Sequence, residues 1–305
     1  AGQIIITTPA TTTAVERPGA LIFCTSGCQH IPPSSGWQRR KYFAAGAAWC
    51  IMKGMVALEP ASPRAFVLFG RYPERGQGKT RLAQELGDEA THLLYQALLA
   101  DTADKISVLE HCDCVGALAS VQEWSELPAD PLGRAPFSRF QWTRQEGDDF
   151  GERLGSTIEK TLARGYEGVV LVGTDSPEMR VAEMRGALDL VGRYDVVLGP
   201  ADDGGYYLIG MRKYYAALFE GIDWSTSVVL EQTVAAAEAL SLSVATVDRC
   251  SDVDFFEDLV ALLERRRAAW DVGERRPPCA GVDAWLRGEL PGQDGLPPVG
   301  RMLAG

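Results

Sequence analysis

The sequence has no long hydrophobic run. No apolar stretch approaches the roughly 20 residues a membrane-spanning helix needs. Positive charge is also in short supply: 30 Lys and Arg stand against 41 Asp and Glu, for a net charge of −11. So acidic a chain is a poor nonspecific binder of nucleic acid, and any basic cluster in it stands out. A cysteine pairing pattern is missing too. The seven cysteines, at 24, 28, 50, 112, 114, 250 and 279, are odd in number and irregular in spacing. They read as reduced thiols of a cytoplasmic protein, not as a disulfide framework. Cys24, Cys28 and His30 lie close together, but no second ligand pair comes after them at zinc-site spacing.

One missing glycine decides how the most suggestive motif is read. Residues 65–83 run AFVLFGRYPERGQGKTRLA. Gly78-Lys79-Thr80 invites the reading of a phosphate-binding P-loop, which needs another glycine at position 73. That position holds Pro73, which has no N–H to offer a phosphate. The loop is still basic, with Arg71, Arg75, Lys79 and Arg81 among Gly70, Gly76 and Gly78. Cations with glycines between them suit a diphosphate, and a solvated surface loop is the plainer alternative.

Composition divides the chain in three. Residues 1–62 read as an extension, threonine-rich at first and then full of turn residues, outside the native domain. Residues 63–268 read as the folded domain. Residues 269–305 read as a loosely packed tail rich in Pro and Gly, with one short helix near Val282–Arg287.

Within the domain, short apolar runs alternate with helical patterns. Ala65–Phe69, Val115–Ser120, Val169–Val172, Val196–Leu198, Tyr206–Ile209 and Leu242–Val247 read as strands. Helices are expected over about 89–105 capped by Asp88, over Phe150–Leu162 ended by Gly165, around 184–191, over 226–240 and over Phe255–Arg267. Such alternation implies crossover connections and a largely parallel sheet, with ligands at the carboxyl ends of the strands.

The residues just past each strand are therefore informative. After Val172 comes Gly173-Thr174-Asp175-Ser176-Pro177, where Asp175 suits Mg²⁺ or Mn²⁺ and an Asx turn is the alternative. After Leu198 comes a run containing Asp202, Asp203, Gly204 and Gly205. Asp-Gly is a hairpin signal, and two adjacent carboxylates also suit a metal ligand or a general base. After Val247, Asp252 and Asp254 flank a valine, and one of them could cap the next helix. A basic cradle facing carboxylates on one rim describes a site for a nucleotide diphosphate with a divalent cation.

FGRYPERGQGKTRLA, RQEGDDFGERL, LVGTDSPEM, DVVLGPADDGGYYLIGM, GIDWSTSVVLEQT and DVDFFEDL occur in that order over residues 64–265. In this the chain resembles the small bacterial GT-A-like glycosyltransferases of arsenosugar biosynthesis. These are similar in turn to the nucleotidyltransferases of molybdopterin and F420 cofactor assembly. The resemblance implies a Rossmann-like GT-A fold, a three-layer α/β/α arrangement around a mostly parallel sheet. It implies that Arg71, Lys79 and Arg81 face the donor phosphates, with Gln145 and Gly151–Leu154 near the nucleotide base. It implies Asp175 as the metal-binding acid, supported by Asp252 and Asp254. On the acceptor side it places Asp202, Asp203, Gly204, Gly205, Trp224, Ser225 and Thr226, with Asp203 as the base if the reaction inverts.

The expected activity is metal-dependent glycosyl transfer from a nucleotide-sugar donor to a small-molecule acceptor. Nucleotidyl transfer from a nucleoside triphosphate and a degenerate nucleotide-binding protein are the alternatives. The bulk of Pro73 and Glu74 in the first loop favours the glycosyl reading. No nucleic-acid or membrane partner is expected, and a homodimer is left open.

Overall fold

The structure is a computed structural model, and it describes residues 6–8, 11–13, 60–122, 131, 137–271 and 279–290. Cys24, Cys28 and His30, most of the 1–62 extension and residues 291–305 lie outside the described residues. The chain divides into two units, Ala1–Val56 and Ala57–Gly305. In the first, β1 (Ile6–Thr8) pairs antiparallel with β2 (Thr11–Thr13).

The second unit is built on a seven-stranded sheet. Its strands are β3 (Arg64–Arg71), β4 (Asp113–Ala119), β5 (Gln141–Arg144), β6 (Gly168–Val172), β7 (Val196–Pro200), β8 (Tyr206–Met211) and β9 (Val244–Thr246). They lie in the order β5-β4-β3-β6-β8-β7-β9, and only β8 runs against its neighbours. The helices are α1 (Thr80–Leu86), α2 (Asp88–Ser107), α3 (Phe150–Leu162), α4 (Val181–Leu190), α5 (Val229–Ala239), α6 (Phe256–Asp271) and α7 (Ala280–Arg287). Among the described residues, no helix is long and apolar enough to cross a membrane.

The central strand shows why the sheet is covered on both faces. Ala65 to Phe69 are all buried, and successive side chains of a strand point to opposite faces. Phe66 and Leu68 join one core with Leu99 and Ile106 of α2 and Met184 and Leu188 of α4. Ala65, Val67 and Phe69 join the other with Leu154 and Ile158 of α3. The mixed α/β fold expected from the sequence is therefore present. Six strands point one way, so the ends of β3, β4, β5, β6, β7 and β9 share a rim.

Four details differ from the sequence reading. α1 is a short helix that the sequence reading left in the basic loop, so Arg81 is helical. β5 is an added edge strand beside β4; its four residues are too few for periodicity to reveal. Asp88 lies in the first turn of α2 behind Gly87, not ahead of the helix. Residues 279–290 are not loosely packed. Val282, Trp285 and Leu286 of α7 are buried against α1, α2 and α6, and Trp285 Nε1 donates to Ala90 O at 3.0 Å. Asp101 of α2 holds the start of α7, accepting from Gly281 N at 2.8 Å and Val282 N at 2.9 Å. The reason is amphipathic: α7 has an apolar stripe that the Pro and Gly content of its flanks conceals.

Candidate functional site

The first loop leaves β3 at Gly70 and Arg71. Beneath it stands Tyr95 of α2, a buried phenol. Its hydroxyl donates to Arg71 O at 2.8 Å and accepts from Arg71 N at 2.7 Å. Gly70 and Gly78 both pack closely on Tyr95, and Gly70 on Thr174 as well. A Cβ on either would lie 3.2 Å from the phenol, at its oxygen or its ring. Burial raises the Tyr95 pKa, and the nearby Asp175 charge adds to it, so the hydroxyl stays protonated. Nothing in the sequence singles out Tyr95, since it reads as one more position on a helix face.

Lys79 closes this loop with its backbone in the left-handed region, φ 54°. Its ammonium lies 2.8 Å from Asp175 Oδ1 and 2.6 Å from Asp254 Oδ1, and donates to Val253 O at 2.6 Å. Burial works against this charge, but Asp175 and Asp254 outweigh it and raise the Lys79 pKa above its ordinary range. The two acidic loops are also joined directly, because Val253 N donates to Asp175 O at 2.9 Å. The Asp254 carboxylate is on Lys79, while Asp258 in the first turn of α6 reaches back to the backbone ahead of the helix. Asp258 accepts from Asp254 N at 3.0 Å and Phe255 N at 2.7 Å.

Asp252 is half-buried beside more acid. Burial first, then the charge of Asp203, pushes its carboxyl up to about 6. Asp202 accepts from Ser251 Oγ at 2.6 Å, which ties the β7–β8 turn to this loop. Asp203 accepts from Gly205 N at 2.8 Å, so the Asp-Gly pair does make the hairpin turn its dipeptide signals. Gly204 has φ +90°, and a Cβ there would meet Ser227 O at 2.1 Å. Only glycine fits.

Of the four loop cations expected on a diphosphate, three are engaged within the protein. Lys79 holds the acids, Arg75 pairs with Glu89, and Arg81 lies over the Phe255 ring at 4.6 Å. Among the described residues Arg71 makes no ion pair. Glu74 turns away from it, accepting from Ser120 Oγ and from Val121 N.

The residues expected near the base and acceptor separate into two roles. Gln145 is buried, and its amide donates to Gly70 O at 2.7 Å and Ala117 O at 3.0 Å, lacing β3 to β4. Gly151, in the first turn of α3, lies under Trp224. A Cβ would sit 2.3 Å from the indole nitrogen. Trp224 packs edge-on against Phe150 at 5.2 Å and Tyr206 at 6.4 Å. Ser225, at φ 64°, and Thr226, whose hydroxyl donates to Asp223 O at 2.6 Å, are exposed beside it.

A hard divalent cation suits carboxylate oxygens. Asp175 and Asp254 meet at the Lys79 ammonium, and Asp252 stands near Asp203 and Asp254, so the residues fit such an ion in chemistry. Their arrangement is taken by Lys79. Among the described residues no group of three Asp, Glu, His or Cys side chains is placed to hold a metal.

A protein of known structure from Desulfovibrio desulfuricans G20, described as a "putative nucleotide-diphospho-sugar transferase", is 31% identical to this chain. The match covers 75% of this chain and 98% of that one, with a TM-score of 0.65. The chain belongs to that protein's family. A family model described as "Uncharacterized protein conserved in bacteria (DUF2064)" matches residues 117–226 of this family member. The matched stretch holds Gln145, Gly151, Asp175, the Asp202–Gly205 turn and Trp224, and leaves out the first loop. Rv0371c from Mycobacterium tuberculosis H37Rv is 18% identical, covering 67% of this chain and 98% of that one at a TM-score of 0.41. The 4-diphosphocytidyl-2C-methyl-D-erythritol synthase of Anaerococcus prevotii DSM 20548 is 11% identical, covering 67% and 97% at 0.45. No curated protein matches the chain.

Proposed function

We propose that this protein transfers a sugar from a nucleotide-diphospho-sugar to a hydroxyl of a small-molecule acceptor. One observation carries the reading. The first loop, the Asp175 loop, the Asp202-Asp203 turn and the Asp252–Asp254 loop meet at one rim of the sheet, linked to one another by hydrogen bonds. The kinship with the Desulfovibrio protein supports it.

Arg71, which makes no ion pair among the described residues, takes the donor diphosphate from the end of β3 by charge-assisted hydrogen bonds. The acceptor lies against Trp224 and the Asp203 turn. Its oxygen bonds to the anomeric carbon as the bond from that carbon to the diphosphate oxygen breaks. The nucleoside diphosphate leaves with the bonding pair, and in an inverting reaction the hydroxyl proton passes to Asp203. Gln145 and Gly151 act from behind, by fixing the end of β3 and the seat of Trp224. Asp175 and Asp252, with Asp254, would hold Mg²⁺ or Mn²⁺, which supplies positive charge to the leaving diphosphate. We place the enzyme in the cytoplasm, and arsenosugar precursors are among the acceptors to test.

Thermal denaturation of the full chain with Mn²⁺ or Mg²⁺ and a panel of nucleotide sugars and nucleoside triphosphates tests this. A ligand at about 100 times its dissociation constant adds about 2.7 kcal/mol of stability. Stabilisation by one nucleotide sugar, lost with chelator, is expected and names the donor. Stabilisation by triphosphates alone would assign nucleotidyl transfer instead.

A further inference from the structure

The Asp175–Asp254 pair already has a cation. The Lys79 ammonium has three N–H bonds and three acceptors: Asp175 Oδ1, Asp254 Oδ1 and Val253 O, all within 2.8 Å. Its donors are saturated. The lysine side chain is only 6% exposed, while those of Asp175 and Asp254 are 45% and 36% exposed. The ammonium thus reaches the acids from inside the protein, and the acids face solvent on their other side.

The contact is held at some cost. A buried ammonium is tolerated only when paired and hydrogen-bonded, and a non-glycine residue at φ 54° is conformationally strained. Neither neighbouring arginine of the loop stands in for it, since Arg75 and Arg81 are engaged with Glu89 and Phe255. Two oxygens on facing carboxylates are what a hard divalent cation would use, and here both point at nitrogen.

We propose that Lys79 is the resident counter-ion of the Asp175–Asp254 pair, and that a divalent cation reaches these carboxylates only by displacing it. The proposal deepens the transferase reading, on which the need for a cation rests. The displaced ammonium stays in the same loop as Arg71. The metal that enters and the lysine that leaves would then both add positive charge facing an anionic donor. The free protein would hold one of the pair's two negative charges balanced until that exchange.

The test is a titration with Mn²⁺ alone, monitored by electron paramagnetic resonance, on the parent, Lys79→Met, Lys79→Arg and Lys79→Met/Asp175→Asn. Lys79→Met should bind Mn²⁺ about tenfold tighter than the parent, or about 1.4 kcal/mol. Lys79→Arg should stay close to the parent, and the double variant should lose the gain. Equal affinity in parent and Lys79→Met would overturn the proposal. So would a gain that survives in the double variant, since the ion would then sit elsewhere.

A second measurement needs no variant. Acylation of amines read by mass spectrometry should find Lys79 protected in the parent and several-fold more reactive with saturating Mn²⁺. Full Mn²⁺ occupancy with Lys79 still protected would also sink the idea. The same samples titrated with nucleotide sugars separate the two readings. Nucleotide binding without any effect of Mn²⁺ on Lys79 removes the latch and leaves the transferase. A clear latch with no nucleotide bound does the reverse.

Discussion

Asp283→Ala should strongly destabilise the C-terminal helices. Asp283 is 1% exposed, and it accepts from Arg266 Nε at 2.9 Å, Arg266 Nη2 at 3.1 Å and Trp270 Nε1 at 3.0 Å. The Arg266 side chain is 4% exposed. Truncating the aspartate therefore leaves a buried guanidinium without its bidentate partner. Breaking a buried pair this way costs about 3–5 kcal/mol. Glu178 Oε1, 3.9 Å from Arg266 Nη1, remains to share the charge, so the lower end, about 3 kcal/mol, is expected. At roughly 2–4 °C per kcal/mol for a domain of this size, the melting midpoint should fall by about 6–12 °C. Urea unfolding gives the free energy and thermal denaturation the midpoint. The double variant Arg266→Met/Asp283→Leu should recover at least half of the loss, because it removes the stranded charge as well as the pair. A loss under about 1 kcal/mol, or a double variant less stable than the single, would refute the reasoning.

Four further outcomes are expected at the rim. Gly151→Ala gains up to about 1 kcal/mol of helix propensity but drives a methyl into the Trp224 indole, an overpacking cost of about 1–3 kcal/mol; a net loss near 1 kcal/mol and a changed near-ultraviolet circular dichroism spectrum are expected, and a stabilised variant with the parent spectrum would contradict the seat described for Trp224. Tyr95→Phe should cost about 1 kcal/mol by leaving both backbone groups of Arg71 without their partner, and an unchanged melt would show that solvent replaces the phenol. Arg71→Ala should weaken donor binding about tenfold or more in calorimetry, with the fold retained; unchanged affinity would return the first loop to a plain surface role. Asp175→Asn should lose cation-dependent donor binding at a stability cost of about 1–2 kcal/mol, because the buried Lys79 ammonium loses one carboxylate but keeps Asp254 and Val253 O. If that variant binds donor and metal like its parent, the metal site lies elsewhere.

The sequence by itself determined the fold class and, to within about two residues, the ends of six of the seven strands of the sheet. Periodicity is a local property, and the all-apolar run Ala65–Phe69 has little choice but a strand buried on both faces. Once the strands run parallel, the residues just beyond them must share a rim, so Arg71, Asp175, Asp203 and Asp252 are legible as site candidates from the chain alone. The Gly204 turn is legible too, because its backbone conformation admits little else.

What the sequence could not show is which partner each of those groups chooses. Lys79 reads as a phosphate ligand from its neighbours in the chain, yet its ammonium is bound 175 residues away at Asp254. Tyr95 acquires its role only when α2 is laid under the first loop. The α7 helix looks like part of a loose tail until Asp101, Arg266 and Ala90 are brought to it. Electrostatic pairing and packing depend on distance in space, and tertiary structure alone decided them: it placed the Lys79 ammonium between the Asp175 and Asp254 carboxylates.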